Sequence, residues 1–264
     1  MSALFRHRHK AVIGVVHLQP LPGSPRWAGD LESVVGRACA DAKAYARGGV
    51  DAVIVENFGD APFTKANVGP ETVGAMTAAG CAARAAIKLP IGFNVLRNDV
   101  RSALALCVAC GGGFVRVNVH TGAMITDQGI IESDAYNTIR YRQCICPKAL
   151  LFADVHVKHA VPLANFSIED SARDTLERGL ADALIISGTG TGVAADIGDV
   201  ERVRRACPGA NILLGSGVTV ENVREFLRFA DGVIVGTSLK VGGKLDNPVD
   251  PKRVAALTRV VHAR

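Results

Sequence analysis

Asp154, His156 and Lys158 alternate with Val155 and Val157 in the segment ADVHVKH (153–159). Period 2 puts an acid, an imidazole and an amine on one face of a strand. The preceding Leu150, Leu151 and Phe152 predict a strand covered on both sides, the habit of parallel sheets. Three ionisable groups then face a packed interior, where they must pair or do chemistry. Lys158 suits three roles: Schiff-base nucleophile, general base of lowered pKa, or cation holding a substrate. Asp154 or Glu56 would serve as general base, and His156, His159 or His120 would carry protons. His17, at the end of the first strand, is positioned to join them.

The same periodicity, with valines facing outward, turns Glu56, Asn94, Arg116, Asn118 and His120 toward that interior. A barrel lumen is normally filled by branched apolar side chains, so polar residues from consecutive strands mark a site. The competing account is a buried ion-pair network, such as Arg116 with Asp154 or Glu56, that only fills and orients. A divalent metal held by Glu56, Asp154 and histidines is a weaker alternative, because Leu18 breaks any His-x-His pattern. No cofactor is called for.

A second signal is glycine-rich. LLGSGV (213–218) is followed one β/α unit later by VIVGTS (233–238). Loops after the seventh and eighth strands of a barrel often cradle phosphate through backbone N–H groups and a short helix N-terminus. Gly215, Ser216, Gly217, Gly236, Thr237 and Ser238 fit that role. A third loop, SGTGTG (187–192), offers Gly188 and Gly190 as a further cradle or as a flexible lid.

These positions need a scaffold. Eight apolar runs, near 11–18, 51–57, 91–96, 114–120, 150–158, 183–187, 212–215 and 232–236, alternate with helical patterns at 31–47, 71–88, 100–109 and 200–206. That alternation predicts an α/β fold, a single-domain (β/α)8 TIM barrel over residues 11–264, preceded by a short basic arm at 1–10. The connections 58–70 and 121–133 are longer than minimal loops and follow strand C-terminal ends, the face where barrel enzymes build sites. Gly36 reads as helix interior and the Gly48–Gly49 pair as a C-cap.

Composition narrows the function classes. Thirty basic and 25 acidic residues leave a net charge of +5 without a run of like charge, which argues against nucleic acid and allows a mild preference for anions. Seven cysteines, an odd number, point to reduced thiols and a cytoplasmic location. The pairs Cys107/Cys110 and Cys144/Cys146 fall in outer helices and read as ordinary thiols. No apolar stretch is long enough to span a membrane. The alanines in 75–86 suit either helix–barrel packing or a homo-oligomer interface.

The blocks VHLQPLPGSP (16–25), GVDAVIVENFGDAPF (49–63), FNVLRND (93–99), FVRVNVHTGA (114–123), TDQGII (126–131), ADVHVKHA, LLGSGVTVENV (213–223), DGVIVGTSLK (231–240) and NPVD (247–250) resemble the BtpA/SgcQ family of phosphate-binding barrels. The resemblance covers nearly the whole chain. It implies Glu56, Asn57, Asp60, Asn94, Arg116, Asn118, Asp127, Asp154, Lys158 and His159 as the matching polar positions. The family's names point to photosystem I biogenesis and to a sugar-utilisation gene cluster. The expected function is an enzyme acting on a small phosphorylated metabolite, as an isomerase, lyase or aldolase, with a base-releasing hydrolase as a variant. The alternative is a non-catalytic assembly or stability factor working through a protein partner.

Overall fold

The computed structural model describes residues 10–263, so most of the arm expected at 1–10 lies outside the described residues. Eight parallel strands close into a barrel in sequential order: β1 (Ala11–His17), β2 (Ala52–Glu56), β3 (Ile91–Asn94), β4 (Phe114–Val117), β5 (Leu150–Val155), β6 (Ala183–Ile186), β7 (Ile212–Leu214) and β8 (Gly232–Val235). One helix follows each strand: α1 (Leu31–Gly48), α2 (Pro70–Ala86), α3 (Val100–Cys110), α4 (Ala135–Ile145), α5 (Ile168–Arg173), α6 (Ile197–Ala206), α7 (Val223–Phe226) and α8 (Pro251–His262). The (β/α)8 barrel read from the sequence is the observed fold.

Local chemistry sets the helix starts. Asp30, Asp99, Asp134, Ser167, Asp196 and Asp250 each accept a hydrogen bond from an amide in the following first turn, satisfying a donor that the helix leaves open. Gly49 closes α1 in the left-handed conformation, φ 86°.

Alternation along the strands divides the core into two layers. Val12, Val16, Val53, Val55, Val115 and Val117 pack outward against the helices. Ile13, Ile54, Phe114, Phe152, Ile185, Leu213 and Ile234 fill the lumen, with the Phe114 and Phe152 rings stacked 4.9 Å apart. Gly92 leaves the space that Phe114 occupies, since a Cβ there would lie 2.4 Å from the ring. The alanines of α2 are used in the same way: Ala75, Ala79 and Ala83 are buried within the core. That face is therefore helix–barrel packing.

Two differences from the sequence reading bear on the site. Strand β5 stops at Val155 instead of continuing to Lys158, because His156 and His159 adopt left-handed backbone, φ 52° and 56°, which ends the alternation. The 121–133 connection is not a plain loop. It forms a hairpin of Ala123–Thr126 and Gly129–Glu132, and Ala160–Pro162 adds a third antiparallel strand. Met124 and Ile131 tuck beneath this small sheet with Val119 and Val157.

The packing of α1 onto β1 gives a stability prediction. A Cβ at Gly14 would stand 2.4 Å from the ring of Tyr45, whose buried hydroxyl donates to the Val15 carbonyl at 3.0 Å. Gly14→Ala is therefore expected to lower unfolding stability by about 1–3 kcal/mol. Urea denaturation measures this, and an unchanged midpoint would mean that Tyr45 is free to move.

Candidate active site

The last inward-facing positions of the strands form a ring at the C-terminal mouth. Register pairs His17 with Glu56 and Glu56 with Asn94 across β1, β2 and β3. Arg116 comes from β4 and Asp154 from β5, and Ser187 follows β6. All but His17 and Ser187 are buried, Arg116 and Glu56 with 3% and 2% of their surface exposed.

Arg116 joins the ring together. Its Nε and Nη2 donate to the two oxygens of Asp154, both at 2.9 Å. Asn118 Nδ2 adds a bond to Asp154 at 3.1 Å and Ser187 Oγ another at 3.2 Å. Asn94 Nδ2 donates to Asn118 Oδ1 at 2.9 Å and to the Arg116 carbonyl at 3.2 Å. Burial opposes the Arg116 charge, but the Asp154 carboxylate beside it more than compensates and raises its pKa. Both carboxylate oxygens of Asp154 are thus committed.

Glu56 is held differently. Arg116 Nη1 and His17 Nε2 approach its carboxylate only to 3.9 Å, and it accepts no hydrogen bond among the described residues. Its lone pairs are therefore uncommitted, unlike those of Asp154.

His17 is neutral. Burial lowers its pKa well below the usual histidine range, helped by Lys240, Lys158 and Arg116, and its Nδ1 has no hydrogen-bond partner among the described residues. Lys158 is half-buried, and its amine makes no ion pair among the described residues. Desolvation lowers its pKa, reinforced by Arg116 and offset in part by Glu56 and Asp154. Arg97, absent from the sequence reading, is 3% exposed and holds the Lys158 carbonyl through Nη2. The signal available was its place in FNVLRND, three residues beyond Asn94.

A cavity of about 310 Å³ joins this ring to the glycine loops. It is lined by His17, Glu56, Arg116 and Lys158 on one side, and by Gly215, Ser216, Gly217, Gly236, Thr237 and Ser238 on the other. Thr237 and Ser238 open a short 3-10 turn, whose first N–H groups have no partner inside it. Ser216 serves another purpose than the one expected. Its hydroxyl accepts from Gly188 N and donates to Val193 O, both at 2.8 Å, so it braces the neighbouring loop. Arg253, at the start of α8, lines the same cavity and donates to the Ser238 carbonyl at 2.7 Å. A cation in the first turn opposes the helix dipole, and Lys252 with Arg253 was the missed signal.

Other expected residues fall elsewhere. His156 leaves the lumen because of its left-handed backbone and meets Ser171 Oγ at 3.0 Å. His120 sits against the Gly179 carbonyl at 2.7 Å, beyond the end of β4. His159 is exposed and pins the 187–192 loop through Thr191. Gly188 and Gly190 turn that loop without lining the cavity, which Thr191 and Gly192 reach instead. Asp127 lies at the hairpin turn, and Asn57 and Asp60 bond each other beneath the β2 loop. Among the described residues, no three His, Cys, Asp or Glu side chains converge as a metal site.

Residues 8–263 match the BtpA family. The chain belongs to that family. It is 47% identical to the photosystem I biogenesis protein BtpA of Synechocystis over 94% of this chain and 86% of that one. It is 35% identical to the putative sgc region protein SgcQ of Escherichia coli, over 96% and 94% of the two chains. Among solved structures, tryptophan synthase of Mycobacterium tuberculosis superposes with a TM-score of 0.64 at 17% identity, covering 97% of this chain and 94% of that one. Phosphoribosyl anthranilate isomerase of Thermus thermophilus gives 0.57 at 14% identity, covering 95% and 97%. At such identities the likeness concerns the barrel, a fold that hosts many activities. No helix among the described residues is long and apolar enough to cross a membrane.

Two predictions follow from the charged ring. Arg116→Met strands the buried Asp154 carboxylate and is expected to cost about 3–5 kcal/mol in denaturant unfolding. A neutral result would show that water reaches Asp154. The unfolded chain protonates His17 near pH 6.5, whereas the folded chain does so only well below. Stability contributed by neutral His17 is therefore lost as the pH falls below that value. His17→Gln should flatten the unfolding midpoint between about pH 7 and about pH 5, and a profile parallel to the parent's would refute the exclusion of its proton.

Proposed function

We propose that the protein is an enzyme acting on a small phosphorylated metabolite, by proton transfer of the isomerase, lyase or aldolase type. One observation carries this reading: Glu56, Arg116 and Lys158 line the same cavity as the glycine loops and Arg253. The phosphate is bound by the loops after β7 and β8 with Arg253, and the carbon skeleton lies over the charged ring. Binding energy from the non-reacting phosphate then supports the chemical step.

Each residue has a role that follows from its contacts. Glu56 takes the proton. Arg116, fixed by Asp154, stabilises negative charge developing on a substrate oxygen. Lys158, desolvated and without a carboxylate partner, acts as acid or, when neutral, as nucleophile. Asp154, Asn118 and Asn94 position Arg116. Neutral His17 is suited to relaying a proton beside Glu56.

A thermal-shift panel of phosphorylated metabolites, followed by turnover of any stabilising compound, tests the reading. Glu56→Gln should retain binding and lose about 10²–10⁴-fold in turnover. Arg253→Gln should weaken binding by roughly tenfold or more, as expected for a hydrogen bond from a charged group. Unchanged turnover in Glu56→Gln sinks the catalytic assignment.

The Synechocystis relative's name favours a second reading, an assembly factor without catalysis. A row of exposed Ile130, Ile125 and Val161 across the small sheet supports it. That reading requires a partner whose capture survives Lys158→Ala and is lost in Ile125→Lys.

A further inference from the structure

A second cavity, of about 170 Å³, shares His17 with the first. Its lining includes His17, Phe58, Arg26, Arg37, Lys240 and Asp246. Three basic residues thus line it with one acidic residue. Its volume is well below the roughly 300–1,000 Å³ of sites for larger ligands, so a small group is what it can take.

Lys240 is the unusual member. It is 2% exposed, yet its amine makes no hydrogen bond or ion pair among the described residues. Holding a largely desolvated ammonium without a partner is costly. The nearest buried carboxylate, Asp41, is already occupied by Arg37 Nε at 3.1 Å and the Val249 amide at 2.9 Å. Arg37 Nη2 and Arg26 Nη2 each hold a backbone carbonyl, of Asp246 and Gly59, and keep further N–H donors for the cavity.

We propose that this cavity is a second oxyanion site, binding a phosphate-sized group against Lys240 with Arg26 and Arg37 at its rim. The anion supplies the counter-charge that the fold withholds from Lys240. Desolvation lowers the Lys240 pKa, and Asp41 only partly offsets it, consistent with a site built for an external anion. His17 lines this cavity and the one containing Glu56, so an anion here counters a cation that helps keep His17 neutral. The site stands independently of any phosphate at the glycine loops.

Calorimetric titration of the full chain with inorganic phosphate, and separately with glycerol phosphate, tests the assignment. Lys240→Met should weaken one binding event at least tenfold, Arg26→Gln should weaken the same event severalfold, and Arg253→Gln should leave it intact. Binding of inorganic phosphate alone identifies the free ion as the ligand; binding of both probes identifies a phosphoryl group of a larger molecule. Equal affinity in the parent and Lys240→Met, or heat that responds only to Arg253→Gln, overturns the proposal. If Lys240→Met does not fold, an unchanged affinity in Arg26→Gln overturns it equally.

Discussion

Removing a guanidinium from water inside a barrel is tolerable only where carboxylate oxygens replace its hydration, and the bidentate contact of Arg116 with Asp154 does this. The geometry of the mouth follows from that pair. Asp154 also accepts from Asn118 and Ser187, so strands β4 and β5 and the start of the β6 loop are tied at one level. Asn94 extends the tie to β3. With Asp154 saturated, the remaining guanidinium edge faces Glu56 at a longer distance and leaves that carboxylate without a hydrogen bond among the described residues. A saturated ion pair and a carboxylate with uncommitted lone pairs are therefore two consequences of one arrangement.

The opposite half of the mouth is bare for a related reason. A Cβ at Gly236 would stand 2.4 Å from His17 Cε1, and one at Gly215 would stand 2.3 Å from Ser187 Oγ and 3.5 Å from Arg116 Nη2. The side chains of the charged half thus lean into space that glycines vacate. Gly217, at φ 63°, meets the backbone of Ala194 so closely that no Cβ fits, and the 187–194 segment packs down on the β7 loop. The same glycines that line the cavity with bare backbone also let His17 and Ser187 reach their places. Substituting them would disturb both halves together.

The barrel was legible because its signals are periodic. Valines at every second position marked the outward faces, and Glu56, Asn94, Arg116 and Asp154 followed as inward ones. Periodicity fails where the chain leaves the sheet. His156 obeys the alternation on paper, yet one left-handed residue turns it toward Ser171, and nothing local in ADVHVKH announces that turn. Lys158 reaches the cavity despite the broken strand, held by Arg97 from another loop, a contact between residues 61 positions apart. Ser216 looked like a phosphate ligand because hydroxyls in glycine loops often are; its two hydrogen bonds to residues 188 and 193 depend on a loop conformation that composition does not encode.

Charge supplies the remaining constraint on what the cavity accepts. Glu56 and Asp154 balance Arg116 and Lys158, so the ring itself is close to neutral. Arg253 at the rim tips the sum to positive, and Arg97 lies close enough to depress the Lys158 pKa further. Such an excess concentrates anions and acts most strongly at the glycine-loop side, where no carboxylate among the described residues lines the wall. A neutral ligand would leave that excess uncompensated. The positive excess and the spare lone pairs of Glu56 thus lie on opposite walls of one cavity.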